Sequence, residues 1–375
     1  VVRKIAVASH AATIDGKQYD GIGDTLKESL SEVTDEFTFL RHSMDGLIDS
    51  ELQYYKGKSE ATKRQLRVVS NPAPLRYISE IIATVWHFTF KEKVDIYLGI
   101  DPLNALAGLI LRSFGRVETA IFYTADYSPT RFNNKMMDRA YHSIDKFCVK
   151  HANEVWSVSS RIVGVRRTMG LPEERNIFVP NVPPLAYTNQ KRGRYDKHKL
   201  ITLGIVDRQL DFRGVMSAMH ILSDKYPDIS LTIVGNGPEE ASLKKFASQQ
   251  GVTDRVNFLG RLSFNEAQEK ISHAGIGLAL YTGVWGFNKY GDSTKCREFF
   301  SYGLPVLSTD THSTVEEIEE FSAGIVVPVS VDAYVTGIEE LFKKYSQYSK
   351  KSAALGEKHK GAREKELARL LSGSK

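Results

Sequence analysis

The sequence predicts an α/β protein built from two Rossmann-like domains, on three observations. Short apolar runs of strand length alternate with helical patterns through both halves, as they do in parallel sheets covered by helices on both faces. The chain of 375 residues is long enough for two domains of ordinary size. The halves echo each other, and the polar, glycine-containing stretch Asn189–Lys199 reads as a linker between them. An apolar share of 42% and a charged share of 25% are those of a soluble globular protein. No apolar run approaches the ~18 residues that a membrane-spanning helix requires. Cys148 and Cys296 are the only cysteines, which offers no disulfide framework and fits a reducing cytosol. A net charge of +5 admits an anionic substrate or membrane surface and does not point to nucleic acid.

The first half opens with a strand at Lys4–Ala8, a glycine-bearing loop and a helix from about Thr25. Strands follow at Glu36–Leu40, Val94–Gly99, Thr119–Tyr123 and Glu154–Val158, separated by helices at Leu75–Phe88, Pro102–Ser113 and Asn134–His151. Ligands of such sheets bind beyond the carboxyl ends of the strands, which places Ser9-His10, Asp101, Thr124-Ala125-Asp126 and Ser159 on one rim. Asp126 is the acid of most interest there, with a turn or cap role as the plainer reading. Gly21 and Gly23 in YDGIGD do not form a GxGxxG, and their spacing alone suggests a turn. In the basic segment from Tyr54 to Lys93, Lys56, Lys58, Lys63, Arg64, Arg67 and Arg76 are accompanied only by Glu60 up to Arg76. That run is a solvated face or a patch for an anionic membrane or acceptor. The apolar set from Tyr77 onward is spaced for a core-packed helix.

The second half begins with a strand entering a loop, KLITLGIVDRQ, and continues with strands at Ile229–Val234, Val256–Gly260 and Ile276–Leu280. Gly235-Asn236-Gly237 makes a turn before the helix Glu240–Gln249. The loop YTGVWGFNKYGDS, with Tyr281, Trp285 and Phe287, reads as a wall of a ligand site or as ordinary packing. The stretch Gly291–Asp310 (GDSTKCREFFSYGLPVLSTD) organises the rest. Asp292 or Ser293 can cap a short helix, Gly303 ends it, Pro305 blocks its continuation, and Val306-Leu307 begin a strand. Lys295 and Glu298 then share one helix face. The helix start and the Lys295 ammonium suit the phosphates of a nucleotide, and the carboxylate one turn deeper suits ribose hydroxyls. An ordinary surface ion pair is the alternative.

This stretch resembles the donor-site helix of the family-four, retaining glycosyltransferases of GT-B fold. Glu298, five residues before Gly303, matches the second glutamate of that family's E-x7-E signature; the first falls at Tyr290, and Asp292 is the nearest substitute carboxylate. Around the helix start, Ser293 and Thr294 join the implied donor site. Gly204, Arg208 and Arg213 fall where the family carries its glycine, its phosphate-binding Arg and its Lys, with Arg208 preferred because it is nearer the strand end. Arg261 and Leu262 would meet the base, and Gly21 and Gly23 would face the donor phosphates.

The resemblance implies two Rossmann-like domains facing across a cleft. Residues 1–188, joined by the terminal helix 362–375, would hold the acceptor, and residues 189–361 the donor. It implies transfer of a sugar from a nucleotide diphosphate, UDP by default, to a hydroxyl of a glycan or lipid-linked acceptor, with retention. Lys295, Arg208 and Asp126 are the expected catalytic groups. No cofactor and no metal are expected, since no Asp-x-Asp motif occurs at the site. The expected location is cytoplasmic, compatible with peripheral contact at the inner face of a membrane. A nucleotide-sugar epimerase or hydrolase of the same fold, or a non-catalytic nucleotide-sugar-binding protein, are the alternatives, the last favoured only by Tyr290.

Overall fold

The computed structural model describes residues 3–14, 17–188, 192–284 and 286–373. It divides into two compact units, Val1–Pro180 with Gly361–Lys375, and Asn181–Lys360.

The first unit carries strands β1 (Ile5–Ile14), β2 (Lys17–Tyr19), β3 (Glu36–Ser43), β4 (Ser50–Lys56), β5 (Ser59–Leu66), β6 (Ile96–Ile100), β7 (Thr119–Thr124), β8 (Glu154–Ser157) and β9 (Asn176–Phe178). They form one sheet in the order β5-β4-β3-β1-β6-β7-β8-β9, with β2 folded back antiparallel onto the end of β1. From β3 through β9 along that order the pairing is parallel, while β3-β4-β5 is an antiparallel meander at one edge. Central strands such as IYLGI and TAIFYT are buried almost throughout, as strands covered on both faces must be. The meander was not read from the sequence. Every residue of β5 except Leu66 is exposed, so no apolar alternation marks it as a strand. The terminal helix Ala362–Ser372 belongs to this unit. Ser29 Oγ donates to Glu364 Oε1 at 2.7 Å, Arg3 Nη1 to the Leu370 carbonyl at 3.1 Å, and Arg369 Nη2 to Glu154 Oε2 at 2.6 Å.

The second unit carries β10 (Lys199–Leu203), β11 (Ser230–Val234), β12 (Val256–Phe258), β13 (Ile276–Ala279), β14 (Val306–Thr309) and β15 (Gly324–Val327). All are parallel, in the order β12-β11-β10-β13-β14-β15. Counted from β10 this is 3-2-1-4-5-6, the doubly wound order whose direction reverses between its first and fourth strands. Leu200, Leu231 and Ile276 turn to a core shared with Met216, Met219 and Phe342. Ile201 and Val306 turn to one shared with Phe299 and Phe300.

The boundary falls after Pro180, not at 188/189. Residues 181–188 are tied to the second unit: the Asn181 N–H donates to Asp292 Oδ2 at 2.7 Å, and the Tyr187 ring lies 4.3 Å from that of Phe264. The expected linker Asn189–Lys199 lies in the second unit as well. Its residues 189–191 fall outside the described residues, and Arg192 Nη2 donates to the Tyr345 hydroxyl and to the Ala274 carbonyl.

Candidate functional site

In the second unit the chain leaves β10 at Gly204, on the carboxyl edge where the strand order reverses. Gly204 has φ +135° and Gly235, beyond β11, has φ +139°. A Cβ on Gly235 would lie 1.8 Å from the Gly204 carbonyl oxygen, so only glycine permits these two backbones to pass. The Gly235 N–H donates to the Gly260 carbonyl at 2.7 Å, which brings the β12 end and the following Arg261-Leu262 to the same edge. Arg261 is exposed there and Leu262 is half-buried.

The helix Thr294–Ser301 brings Lys295 to this edge. Lys295 is only 8% exposed. A Cβ on Gly204 would stand 3.4 Å from its Nζ, and that Nζ lies 4.5 Å from the centroid of the Tyr281 ring, just past β13. Among the described residues the ammonium makes no hydrogen bond or ion pair. A buried cation without an ion pair is costly even with the Glu298 carboxyl one turn away, and an anionic ligand over the strand ends would offset that cost. The helix start adds to the positive field: Ser293 occupies the cap position without a capping side-chain hydrogen bond, and Thr294 is exposed.

One turn on, Glu298 accepts a 3.0 Å hydrogen bond from Gln268 Nε2. Gln268 comes from the helix Phe264–His273, fixed by a Ser263–Glu266 capping box. Burial pushes the Glu298 carboxyl up to about 7, against the pull of Gln268 and Lys295. Gln268 and Tyr281 were not assigned to these partners from the sequence. Nothing in their spacing marks them, because both reach the helix Thr294–Ser301 from distant segments.

Asp292 is neither the cap nor a group open to a sugar. It is buried and accepts from Arg297 Nε at 3.0 Å, Arg297 Nη2 at 2.8 Å, Thr314 Oγ1 at 2.8 Å and the Asn181 N–H at 2.7 Å. Arg297 also donates to Glu317 Oε2 at 2.5 Å, and Glu317 Oε1 meets His359 Nε2 at 2.5 Å. This network is a structural anchor for the loop that feeds the Lys295 helix. The Ser293 N–H joins it by donating to Thr314 Oγ1 at 2.8 Å. Tyr290 ends a short 3-10 turn, Gly286–Tyr290, and is half-buried. Trp285 lies outside the described residues.

Arg208 and Arg213 both turn to one carboxylate, Glu239, at 3.7 Å each, and line a pocket of about 360 Å³ with Asp207, Asp211 and Thr282. The Arg208 side chain is 84% exposed.

In the first unit, Gly21 and Gly23 are not in a loop but in the first turn of the helix Gly21–Val33. Asp20 caps it by accepting from the Gly23 N–H at 2.9 Å, and a Cβ on Gly23 would overlap the Asp20 carboxylate. Asp20 also accepts from Ser9 Oγ. Asp126 is exposed and paired with Arg131 Nη1 at 2.5 Å.

The more developed site of this unit surrounds His10. Its Nδ1 lies 2.6 Å from Asp101 Oδ2 and its Nε2 3.0 Å from Glu80 Oε2. Burial would lower the imidazole, but the two carboxylates outweigh it and hold it up at about 10, so it is an imidazolium at neutral pH. Asp101 sits at φ +76°, a conformation that costs about 1–3 kcal/mol, while its Oδ1 caps the helix Pro102–Ser113 through the N–H groups of Leu103 and Asn104. His10, Asp101 and Arg131 form the charged end of a pocket of about 480 Å³ whose walls include Ile78, Leu106 and Phe132.

Among the described residues, one group of three side chains is close enough to share a cation: Asp196, His198 and Asp228. They precede β10 and β11, at the edge of the sheet opposite Gly204.

Residues 188–361 match the family described as Glycosyl transferases group 1. The chain is 25% identical over 210 residues to the GDP-mannose-dependent alpha-(1-6)-phosphatidylinositol monomannoside mannosyltransferase of Mycolicibacterium smegmatis, covering 52% of this chain and 53% of that one. It is 24% identical over 295 residues to one of the subunits of the phosphatidylinositol N-acetylglucosaminyltransferase of Homo sapiens, covering 73% and 57%. The chain spans about half the length of the curated relatives it matches first. The solved structure of HepE from Anabaena, in complex with UDP, superposes with a TM-score of 0.68 at 11% identity over 99% of this chain and all of that one. The match covers nearly all of the doubly wound second unit, so residues 188–361 form a group 1 glycosyl transferase domain, and the full-length likeness to solved structures shows the GT-B fold.

Proposed function

We propose that the chain transfers a sugar from a nucleotide diphosphate to a hydroxyl of a glycan or lipid-linked acceptor, with retention of configuration. The second unit binds the donor and the first holds the acceptor. The observation that carries this reading is Lys295, a buried ammonium without an ion-pair partner among the described residues, over the strand ends where the order of the second sheet reverses. The reaction demands stabilisation of charge growing on a leaving diphosphate, and preorganised cations and amide dipoles supply it. Lys295 and the uncapped helix start fit that task; Arg208 and Arg213 stand at the neighbouring loop. Glu298 receives the ribose, and Arg261 with the Leu262 backbone the base. In the first unit the pocket beside His10 and Asp101 suits the acceptor better than Asp126 does.

Isothermal calorimetry with UDP, GDP, ADP and dTDP tests the donor side. UDP is the expected base, and GDP is the main competitor because the mycobacterial relative is named for GDP-mannose. No heat with any of the four would overturn the reading. Product analysis without an acceptor separates a transferase from an epimerase or hydrolase.

Glu298→Ala should raise the donor KM by roughly tenfold or more with little change in kcat, because a hydrogen bond to a charged group is lost equally from ground and transition states. The pH dependence gives a second readout. Since the Glu298 carboxyl is held up at about 7, ionisation above that pH strengthens it as an acceptor, and the donor KM should fall as pH rises through 7. Glu298→Gln should flatten that profile while costing less affinity than alanine. An unchanged nucleotide affinity in Glu298→Ala would show that the ribose lies elsewhere.

Turnover is expected without a divalent metal, since Lys295 and a helix terminus occupy the place where a phosphate-bound cation would act. Complete loss of activity in EDTA, restored by Mg²⁺ or Mn²⁺, would sink this expectation.

A further inference from the structure

The helix Ala73–Phe90 is built the wrong way round for a surface helix. Its buried residues include Arg76, Glu80, Thr84 and His87, each tied into the first unit. Arg76 Nη2 donates to the Met44 carbonyl, Glu80 meets His10, Thr84 meets His42, and His87 meets Tyr54. Every exposed residue of the helix is apolar: Pro74, Leu75, Ile78, Ile82, Trp86 and Phe90. From Leu75 to Phe90 these recur at three- and four-residue steps, so they form one stripe. Each of the five is between 49% and 68% exposed. The sequence expectation of a core-packed helix is thus half right. Ile81, Val85 and Phe88 reach the core, and a second apolar face is left in solvent.

We propose that this stripe is a seat for an anionic lipid bilayer surface. The inference rests on the transferase reading only for what it says of the acceptor. A continuous row of large apolar side chains on a soluble unit marks an interaction surface, and the surrounding charge selects the partner. Lys91, at the helix end, holds its Nζ 5.5 Å from the Trp86 ring, and Lys93 follows, also exposed. Arg64 lies on the helix-bearing face of edge strand β5, since it pairs with Leu52, which packs with Ile81 and Val85. Arg67, just beyond β5, is exposed as well. The helix exposes no acid of its own, and Glu92 is engaged by Thr38 and His87. Apolar centre, cationic flanks and an aromatic pair at one end are the pattern of a helix lying in the interface plane, its lysine stems reaching up to headgroups. No helix among the described residues is long and apolar enough to cross a membrane, so the geometry is one of lying on it. The seat also adjoins the candidate acceptor pocket: Ile78 belongs to the stripe and lines that pocket, as does Met44, itself half exposed. A lipid-linked acceptor could then enter from the bilayer without crossing bulk water.

The test is sedimentation of the whole chain with vesicles of phosphatidylcholine alone or mixed in equal parts with phosphatidylglycerol. Tryptophan emission and quenching by brominated lipid are read in parallel. The expected result is binding to the mixed vesicles with a blue shift and quenching that persist in Trp285→Phe and are lost in Trp86→Phe, Trp156 being buried. Ile82→Glu with Phe90→Glu should weaken binding roughly tenfold or more to the mixed vesicles. Arg64→Glu with Lys91→Glu should abolish the preference for phosphatidylglycerol. Sedimentation of the apolar-stripe variant as well as the parent would overturn the proposal. So would light scattering that shows a dimer of the parent, lost in that variant, with no vesicle binding. Nucleotide calorimetry on the same variants keeps the two readings apart. Retained nucleotide binding with lost vesicle binding locates the defect in the seat, and vesicle binding without any nucleotide binding would leave the seat and remove the transferase.

Discussion

Lys295→Ala is expected to lower kcat about 10²-fold, the size of effect seen when one preorganised oxyanion donor is removed. The side chain is buried over the end of β10 with the Tyr281 ring beside it and no ion-pair partner among the described residues. On the proposed function, a bound nucleotide diphosphate would already satisfy it in the ground state. As the glycosidic bond breaks, further charge moves onto the diphosphate, and an interaction that strengthens on the way to the transition state raises kcat. The loss should therefore appear in kcat more than in donor KM, the opposite of the split expected for Glu298→Ala. Lys295→Arg should not rescue fully, because a planar fork does not fit a space bounded by the Gly204 backbone and the Tyr281 ring. Steady-state kinetics with varied donor at saturating acceptor make the measurement. An unchanged kcat would mean that the helix Thr294–Ser301 is not the phosphate site.

The contrast between Lys295 and Asp292 shows what the sequence could and could not convey. Both lie in one polar-to-helical stretch, and their order predicted a helix, its stop at Gly303 and the strand after it, all of which depend on local backbone chemistry. Lys295 and Glu298 on one helix face followed from a three-residue spacing. The fate of Asp292 did not, because its partners come from Asn181, Thr314 and, through Arg297, Glu317 and His359. The helical setting of Gly21 and Gly23 was missed for a similar reason: Asp20 caps their turn and fills the space that Gly23 leaves, and a close approach of that kind has no signature in spacing. The edge strand β5 was hidden by its exposure, and the outward stripe of Ala73–Phe90 by the symmetry of helical periodicity. A three-to-four-residue apolar repeat says that a face exists, and does not say which way it points. Local rules thus gave most of the elements and their order, but not the exposed edge meander. What each polar group touches was set by tertiary contacts that no local rule reaches.

Asp292→Ala should destabilise the second unit by about 3–5 kcal/mol, the cost of stranding one partner of a buried ion pair. Arg297 is fully enclosed, and its guanidinium is held between Asp292 and Glu317. Burial works against the charged form of Arg297, and the two carboxylates more than offset it. Removing Asp292 takes one of the two carboxylates from that charge and also frees the Thr314 hydroxyl and the Asn181 N–H. For a unit of this size the melting transition should fall by ~6–20 °C. Acid should reproduce part of the effect. Burial would raise the Glu317 carboxyl, but His359 and Arg297 bring it down to about 2. A depressed carboxyl contributes stability that is present above its unfolded value, near 4.5, and is lost as pH falls toward 2. The second unit should therefore lose stability across that window, and Glu317→Gln should reduce the dependence, with Asp228 and Glu266, also held low, contributing the remainder. Denaturant unfolding, with nucleotide calorimetry at a temperature where the variant is folded, discriminates the two roles conceived for Asp292. A sugar contact would cost kcat and leave the midpoint unchanged. An anchor costs the midpoint first, and loses nucleotide affinity only because the loop that sets the Lys295 helix has come loose.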